Sequence, residues 1–487
     1  MAFGTVFCPT QQQTIHVILL TFTIFGFIPF KIDSGSLRVC HSQRNRSLFT
    51  FKWIIGTSVF YTAEIIVAII FHESVFFSGF VVGWINDMLK YSSEVLAIYV
   101  TIVEVISQKN TQLQIFERLA EFGTDRSHVG ILNVQQYSKF CKQYSIKFFM
   151  YVGVTLIMEL KLVIGVMSYN RQWVNIWSFS IFVLAFGRLR SLYFIFYIDL
   201  IRAQLTSVRE RLTELVALMH WAKTFSRHSN EYYQTVDEVS KTLLFLKNCY
   251  GEIWLMTMNV NSVIGWSMCF NLLSSFVQVS CDMYWFYLTI HDKAVDGYEE
   301  LFLSMCPSPI MAVMLLYSAE ACLDVADSMG PLLHEIPKCG SVKLYNIVYR
   351  FSNHISQHPI RFSAHSLTEI NYKLLKLLIT GITTYMLIFI PFSSNIPNVG
   401  GSDATQVTAP PCAIRGGGPP GMLTTAPPSN NTASPTGTRR PIYTHPTHDT
   451  ILTDHPSADV PLECGLRPQR NSICQYDQDQ EPKTRTT

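Results

Sequence analysis

The sequence predicts an all-α membrane protein with seven transmembrane helices, helical extensions on the cytoplasmic side and a disordered C-terminal tail. Hydrophobic residues make up 48% of the chain and charged residues only 15%, which favours several membrane spans over a soluble core. Apolar runs of membrane length recur between residues 51 and 392, and a segment rich in Pro, Thr, Ser and Gly follows them. The net charge of +2 gives no reason to expect a nucleic-acid partner.

Residues 1–50 are expected to form a cytoplasmic segment with one short apolar helix. The apolar run covers residues 15–30 and ends in Gly26-Phe27-Ile28-Pro29. It is shorter than the roughly 20 residues that a helix needs to cross a bilayer. It also lacks the basic start and the small-residue cleavage site of a signal peptide. We therefore predict a re-entrant or interfacial helix.

Residues 51–392 contain the seven predicted spans. The second has an uncertain start because residues 75–84 are also apolar, and the fifth is long enough that it either tilts or carries an interfacial turn. The sixth has Pro307 and Pro309 in its first turns, where a helix tolerates proline best. The spans cover residues 53–71, 88–106, 147–166, 174–199, part of 263–290, 301–323 and 374–392.

Lysine and arginine place the N-terminus in the cytoplasm. With that orientation the inner segments hold 21 of these residues, whereas the outer loops hold 3, namely Lys90, Arg171 and Lys293. Because positive charge is retained on the cytoplasmic side of membrane proteins, the reverse orientation is disfavoured. Seven crossings then put the C-terminus outside the cell. The sequence therefore predicts a multi-pass protein of the plasma membrane.

Two inner segments carry apolar residues at helical spacing, which predicts that spans four and five extend as amphipathic helices below the membrane. The two stripes either pack on each other within one subunit or contact another subunit. They consist of Leu205, Val208, Leu212, Leu215 and Met219, and of Val236, Val239, Leu243 and Leu246.

Residues 393–487 are predicted to be a disordered tail. The segment has 14 of the 22 prolines and few large apolar side chains, so it cannot bury enough surface to offset its ordering entropy. In the predicted orientation Asn430, in Asn430-Asn431-Thr432, is an outward-facing glycosylation acceptor, whereas Asn45 lies inside and stays bare.

Ionisable side chains inside the spans are candidates for a ligand site, because such groups usually face the bundle or a water-filled cavity. Glu94, Glu159 and Arg188 fall in the outer half of the bundle, where a small ligand would enter; the alternative is a structural pair between helices. Trp177, near the outer end of span four, is either an interfacial anchor or part of an apolar pocket. The other ionisable residues in the spans are Glu64, Glu104, Lys161, Arg190, Asp282 and Glu320.

Enzymatic chemistry is not indicated. The chain has no phosphate-binding loop, nucleophile elbow or kinase signature. His354 and His358 have metal-ligand spacing, but no carboxylate follows before Glu369, so an exposed helix in an inner loop is the favoured interpretation. We expect no catalytic residue, no metal and no cofactor.

The last span ends in Thr384-Tyr385-Met386-Leu387-Ile388-Phe389-Ile390-Pro391-Phe392. This stretch resembles the signature of insect gustatory receptors at eight of its nine positions, with Pro391 where the family has glutamine. The preceding residues 361–371 also resemble the family's lead-in to this span, and the general resemblance covers roughly residues 12–392. Members of that family are seven-span, ligand-gated cation channels.

The resemblance implies a subunit that binds a small-molecule tastant and assembles in the lipid bilayer as a homo- or heterotetramer around the seventh helices. Phe392 and Pro391 would form a constriction near the outer mouth, Ile388 lies one turn from Phe392 on the same face, and Tyr385 would brace the helix within the bundle. The residues alone favour a helix that simply packs against its neighbours, and it is the resemblance that favours a pore. Because the family usually ends shortly after the signature, one hypothesis is that the sequence from about Pro391 comes from a misplaced exon boundary or an unspliced intron.

Three alternatives remain beside a gustatory receptor subunit. An odorant receptor subunit of the same superfamily shares the architecture. A G-protein-coupled receptor would need the opposite orientation, and Asp-Arg-Tyr after span three and Asn-Pro-x-x-Tyr in span seven are both missing from the sequence. A membrane enzyme or transporter is disfavoured because neither clustered histidines or acids nor a clear internal repeat is present.

Overall fold

The computed structural model describes residues 9–30, scattered positions from 55 to 66, and residues 81–124, 134–169, 173–224, 229–292, 298–337, 341–365 and 367–393. The predicted tail from residue 394 onward, with Asn430, lies outside these ranges, as do Asn45, Glu64 and most of the predicted first span.

The regular elements of the described residues are α-helices and one short antiparallel hairpin. The elements are α1 (Pro9–Ile24), α2 (Val81–Ser107), α3 (Lys109–Thr124), α4 (Val134–Tyr169), α5 (Trp173–Ala222), α6 (Asn230–Asp292), α7 (Tyr298–Met305), α8 (Pro307–Asp327), α9 (Met329–His334), α10 (Val342–Gln357), β1 (Ser363–Ala364), β2 (Thr368–Glu369) and α11 (Tyr372–Ser393).

Helix α6 is the element against which most of the others pack. It is 63 residues long and contacts α2 and α5 over much of its length, and α10 and α11 also lie against it. Helix α5 in turn packs against α4 and α8. One continuous cluster of buried apolar side chains joins these helices. The molecule is thus a bundle built around two very long helices, α5 and α6.

The predicted spans two, three, four, five and seven each lie within one helix, α2, α4, α5, α6 and α11 respectively. Helix α6 is continuous, so the alternative of an interfacial turn in span five is wrong. Among the described residues, two stretches are long and apolar enough to cross a membrane by length and composition alone, Asn230–Tyr287 and Phe302–His334.

Two details of the predicted spans are wrong. Helix α2 begins at Val81, so Lys90 lies inside it rather than in an outer loop, where its ammonium group pairs with Asp282 of α6. Pro307 and Pro309 are not in the first turns of span six, because the eight-residue α7 precedes them. Neither proline has an N–H to donate to a carbonyl of α7, and the regular helix is interrupted at Cys306.

The N-terminal helix α1 is packed into the bundle. Ile18 and Phe22 are fully buried, and the Phe22 ring lies edge-on to Tyr193 of α5, with 5.0 Å between ring centroids. After the helix, Gly26 adopts a φ of 83°, which favours glycine, and this turn buries Phe27. The predicted re-entrant or interfacial position is compatible with this packing and stays a prediction.

The predicted extensions of spans four and five are present as the continuous ends of α5 and α6. All nine residues of the two apolar stripes are buried within the single chain, and Leu205, Val208, Leu212, Met219, Val239 and Leu243 are completely inaccessible. The stripes therefore pack within one subunit. Any contact between subunits at this end of the molecule must use other residues.

Candidate functional site

Three of the residues that the sequence suggested as ligand contacts lie together between α2, α4 and α5. The Arg188 guanidinium donates from Nη1 to Glu159 Oε1 at 2.6 Å, and the two side chains are only 11% and 8% exposed. Lys161, two residues further along α4, is exposed, as expected for a residue on another face of the helix. The pair links α4 to α5 within the bundle.

Arg188 and Glu94 line the same small cavity, which has a volume of about 30 Å³. Helices α6 and α8 contribute Asn271, Gln278 and Ser308, and the Ser308 hydroxyl donates to Gln278 Oε1 at 2.7 Å. Within the described residues, Arg188 Nε and Nη2 and Asn271 Nδ2 are buried and make no hydrogen bond. The cavity thus presents several hydrogen-bond donors beside a carboxyl group, which is a polar site with little room.

A stripe of polar residues on α6 leads through this region. Its members are separated by three or four residues, which places them on one face of the helix, and all are buried: Ser267, Asn271, Ser274, Gln278 and Asp282. The sequence analysis did not identify this stripe beyond Asp282. Helical periodicity of polar residues inside an apolar span was the signal that could have found it.

A second buried ion pair lies deeper in the bundle, where Arg190 of α5 meets Glu104 of α2. Arg190 is fully buried and donates from Nη2 to Glu104 Oε2 at 3.2 Å. Glu104 also accepts from the backbone N–H groups of Trp266 and Ser267, at 2.8 and 3.0 Å, and Arg190 donates to the Val263 carbonyl at 3.2 Å. In a regular helix the Ser267 N–H would bond to the Val263 carbonyl. Glu104 and Arg190 therefore bond to a backbone N–H and a backbone carbonyl of α6 that would bond to each other in a regular helix.

The hairpin before α11 docks at the same place on α6. A Cβ atom on Gly265 would lie 2.8 Å from the His365 backbone nitrogen, so only glycine allows this approach. The His365 ring stacks on Trp266 with 4.1 Å between centroids, and Asn261 Nδ2 donates to the Arg361 carbonyl at 2.8 Å. Residues 361–371, which carry the resemblance noted in the sequence, thus tie the start of α11 to the segment of α6 engaged by Glu104 and Arg190.

One face of α11 packs against α6. Leu374 is buried, and Gly381 lies so close to α6 that an added Cβ would be 2.9 Å from Cε2 of Phe276. Tyr385 is half-buried against Tyr284 and Trp285, and its hydroxyl donates to Asn86 Oδ1 of α2 at 3.4 Å. Tyr385 therefore contacts both α6 and α2, as expected for a residue that braces the helix.

The opposite face of α11 is exposed along its whole length. Three threonine hydroxyls on this face donate to the carbonyl four residues earlier, at 2.9 Å in each case, so their oxygen lone pairs point outward. Leu387 and Ile388 are 68% and 55% exposed. The exposed α11 face consists of Lys373, Lys376, Leu377, Thr380, Thr383, Thr384, Leu387, Ile388 and Pro391.

The remaining predicted site residues are only partly described. Trp177 and Phe392 lie within α5 and α11, but their side chains are outside the described set. Pro391 lies inside α11 and is exposed. Cys281 and Cys306, both near the end of the bundle that carries Tyr385, are not joined by a disulfide.

The profile of a known family, described as 7tm chemosensory receptors, matches residues 15–396. The chain belongs to this family. It is a member of the insect chemoreceptor superfamily, and its fold is the seven-transmembrane-helix bundle of that superfamily. No curated protein sequence is detectably similar to this receptor.

Two solved structures share the fold of the receptor. The olfactory receptor OR5 from Machilis hrabei in complex with eugenol superposes with a TM-score of 0.54 at 13% sequence identity, covering 78% of this chain and 100% of that chain. OR5 without that ligand superposes with a TM-score of 0.52 at 12% identity, with the same coverage. At this identity the similarity establishes the fold alone.

Proposed function

We propose that the receptor is a gustatory receptor subunit, which forms a tastant-gated, non-selective cation channel in the plasma membrane of chemosensory neurons. Four identical or related subunits place their α11 helices around a central pore. The N-terminus is cytoplasmic and the C-terminus is extracellular. Residues 1–50, 51–392 and 393–487 are the cytoplasmic segment, the channel domain and the tail. The receptor carries out no catalysis and needs no metal or cofactor.

The exposed α11 face is the observation that carries the proposal. A membrane helix can also leave one face against lipid, and what favours a pore here is that this face carries Lys376 and three threonines, which suit a water-filled passage better than lipid tails. On this face the threonines lie between Leu377 and the pair Leu387 and Ile388. The threonine hydroxyls suit passage of cations, and Leu387 and Ile388 suit a constriction that closes by dewetting. The roles assigned to Ile388, Pro391 and Phe392 at the gate, and to Tyr385 as a brace, agree with this division.

Cysteine scanning of α11 tests the pore assignment. Thr380, Thr384 and Ile388 on the exposed face and Leu378, which packs against the bundle core, are replaced by cysteine one at a time. A membrane-impermeant cationic thiol reagent should block the currents of the three exposed-face variants and leave those of Leu378→Cys and the parent protein unchanged. If the exposed-face variants are as insensitive as Leu378→Cys, the face lies against lipid and the proposal fails.

The tastant site is proposed at the cavity lined by Glu94 and Arg188, with Glu159, the partner of Arg188, and Trp177 as further contacts. Support comes from the Arg188–Glu159 pair and from the buried donors that face the same space. A ligand oxygen could accept from Arg188 Nε or Asn271 Nδ2 without breaking an existing bond. Because the described cavity holds only about 30 Å³, the site must widen when a tastant binds.

The orientation is supported by the charge distribution. Lys90 lies within α2 and is paired with Asp282, so it does not count as an outer-loop charge. The excess of lysine and arginine in the inner segments over the outer loops is therefore larger than the sequence alone indicated. Glycosylation in intact cells tests this: Asn430 should carry a glycan that a glycosidase removes, and Asn45 should not. A glycan on Asn45 would show that the N-terminus is outside the cell, which contradicts the proposed orientation.

An odorant receptor subunit is the second candidate, because the fold is similar to that of OR5. Currents recorded from cells that express the receptor alone, with G-protein signalling blocked, distinguish the two when panels of soluble tastants and volatile odorants are compared. Responses restricted to volatiles would favour the odorant receptor. The tail has its own test, since a continuous spliced transcript that encodes Pro391 and residues 393–487 would reject the gene-structure hypothesis.

A further inference from the structure

A second cavity in the described part of the receptor is separate from the proposed tastant site. It has a volume of about 450 Å³ and lies between α4, α5, α8 and the start of α11. Its floor is apolar, formed by buried residues such as Phe140 and Val325, and it reaches the surface at the exposed Lys139. This volume is within the range of small-molecule sites in proteins.

The walls of this cavity carry charges of opposite sign. Arg202 and Arg209 of α5 are seven residues apart, so they lie on the same side of the helix about 10 Å from each other along its axis. Glu320 and Asp324 are on adjacent turns of α8, across the cavity. No ion pair joins either arginine to either acid among the described residues, because the open space separates them.

One further charged residue of the wall, Asp199, already has a partner. Asp199, which also lines the cavity, accepts from the Lys147 ammonium at 2.8 Å. The charged groups on the cavity wall without an ion-pair partner in the described residues are therefore Lys139, Arg202 and Arg209, and Glu320 and Asp324. Glu320 Oε2 also accepts from the Tyr372 backbone N–H at 3.3 Å. Opposite charges held apart by a cavity are complementary to a ligand that carries both an anion and a cation.

The limits of four predicted spans meet at this cavity. Among the residues that line it, Asp199 ends span four, Asp324 follows the end of span six and Tyr372 precedes span seven, and Lys147, the partner of Asp199, starts span three. The cavity therefore lies at the depth of the lipid head groups, on the inner side if the proposed orientation is correct. We infer that it binds the head group of a phospholipid that carries a phosphate and a primary ammonium, with Arg202 and Arg209 on the phosphate and Glu320 and Asp324 on the ammonium.

The inference rests on the proposed function only for the choice of membrane leaflet. Its test measures lipid binding and does not depend on recording an ion current. The full-length receptor is delipidated in detergent, and binding of short-chain phosphatidylethanolamine, short-chain phosphatidylglycerol and free phosphoethanolamine is measured by native mass spectrometry. We expect phosphatidylethanolamine to bind at least about tenfold more tightly than the other two, since each lacks either the ammonium or the membrane anchor.

Matched variants locate the site. The double variant Arg202→Gln/Arg209→Gln should weaken phosphatidylethanolamine binding about tenfold or more. Arg211→Gln is the control, because Arg211 is on the same helix but is exposed and pairs with Glu214. Asp324→Asn should leave phosphatidylglycerol binding unchanged and remove the preference for phosphatidylethanolamine, which provides a second reading if the double variant does not fold.

Three results would overturn the inference. Equal binding of phosphatidylethanolamine and phosphatidylglycerol would exclude a role for the ammonium. Free phosphoethanolamine binding as tightly as the lipid would make the ligand a soluble ester. Unchanged lipid binding in a folded Arg202→Gln/Arg209→Gln variant would place the lipid elsewhere. A receptor that binds the lipid in this way but conducts no ions would contradict the proposed function and leave this inference intact.

Discussion

At the residue scale, Arg188 is the central side chain of the proposed tastant site. Replacing it with glutamine removes the partner of the buried Glu159 and two donors that face the cavity. Hydrogen bonds to charged groups contribute about 1.5–3 kcal/mol each, so the ligand concentration for half-maximal current should rise roughly tenfold or more. Lys161→Gln, on the same helix but exposed, should respond like the parent receptor. If both variants need the same ligand concentration for half-maximal current, Arg188 does not contact the ligand.

The sequence indicated these residues but not their pairing. Glu94, Glu159 and Arg188 could be selected because charge inside a span is costly. Which acid meets Arg188 depends on how far α4 and α5 are rotated about their axes, and a pattern of residues within one helix does not contain that rotation. The same limit applies to Glu104 and Arg190, which the sequence showed only as two charges in different spans.

A second prediction at the residue scale concerns His354, outside the predicted spans, where α10 packs on α6. Burial lowers the pKa of His354 below its usual 6.5, and the nearby His358 and Lys247 lower it further. The folded state therefore favours the neutral ring, so its contribution to stability is present above about pH 6.5 and is lost as the pH falls through the lowered pKa. On acidification the melting temperature of purified His354→Gln should fall less than that of the parent receptor. If the melting temperatures of the two proteins fall equally with pH, His354 does not contribute to the pH dependence of stability.

At the element scale, the Glu104–Arg190 pair should matter more for stability than any surface ion pair. Glu104→Gln leaves Arg190 as a buried charge without a counter-ion, and such losses cost roughly 3–5 kcal/mol. Replacing both residues, as Glu104→Gln/Arg190→Met, removes the uncompensated charge and should recover part of the loss. Thermal unfolding in detergent measures both, with Arg211→Gln as the exposed control. A double variant less stable than Glu104→Gln would contradict this account.

The contact between the hairpin and α6 gives a further prediction. Gly265→Ala would place a methyl group against the His365 backbone, which has no flexible side-chain end to move aside, so a loss of about 1–3 kcal/mol is expected. Gly153→Ala in α4 is the matched control, because nothing lies within 4 Å of the added Cβ, and it should be neutral or slightly stabilising. Similar melting temperatures for the two variants would show that the close approach is not maintained.

Elements were predicted well where hydrophobic periodicity and length determine them. The spans within α2, α4, α5, α6 and α11, and the extensions of α5 and α6, followed from apolar runs and stripes. The position of the prolines in span six did not, because apolar residues continue on both sides of Pro307 and hide the break. The start of α2 was uncertain for a similar reason, since residues 75–84 before it are also apolar. The position of Lys90 inside the bundle was not predicted because its ion-pair partner lies 192 positions later in the chain.

At the scale of the whole molecule, the proposed pore places the exposed α11 face of each subunit beside those of the other subunits. Four copies of the 55.5 kDa chain weigh about 222 kDa, and this is the mass expected for the deglycosylated receptor in detergent after the detergent contribution is subtracted. Thr384→Arg, which adds a positive charge on the exposed face of every subunit, should shift the population toward smaller species through mutual repulsion. Lys376→Arg, which keeps the charge, is the control. A parent protein that is entirely monomeric would contradict the assembly.

The superfamily could be recognised from the sequence because the end of span seven resembles a known signature, and the family match over residues 15–396 agrees with it. The distinction between taste and smell could not be settled in this way. If the proposed tastant site is correct, the distinction depends on the shape of a small cavity made by side chains from four helices, which no pattern within one helix contains.

The length of α6 has a mechanical consequence. At about 1.5 Å per residue its 63 residues form a rod of roughly 95 Å, and the segment held by Glu104, Arg190 and the hairpin lies near its middle. About 40 Å of rod extends from that fulcrum to the end near Tyr385. A swing of only about 5° would move that tip by roughly 3–4 Å, comparable to the diameter of a water molecule. A small rotation of α6 about its middle would therefore move the end that contacts Tyr385 by enough to change the width of a narrow passage lined by α11.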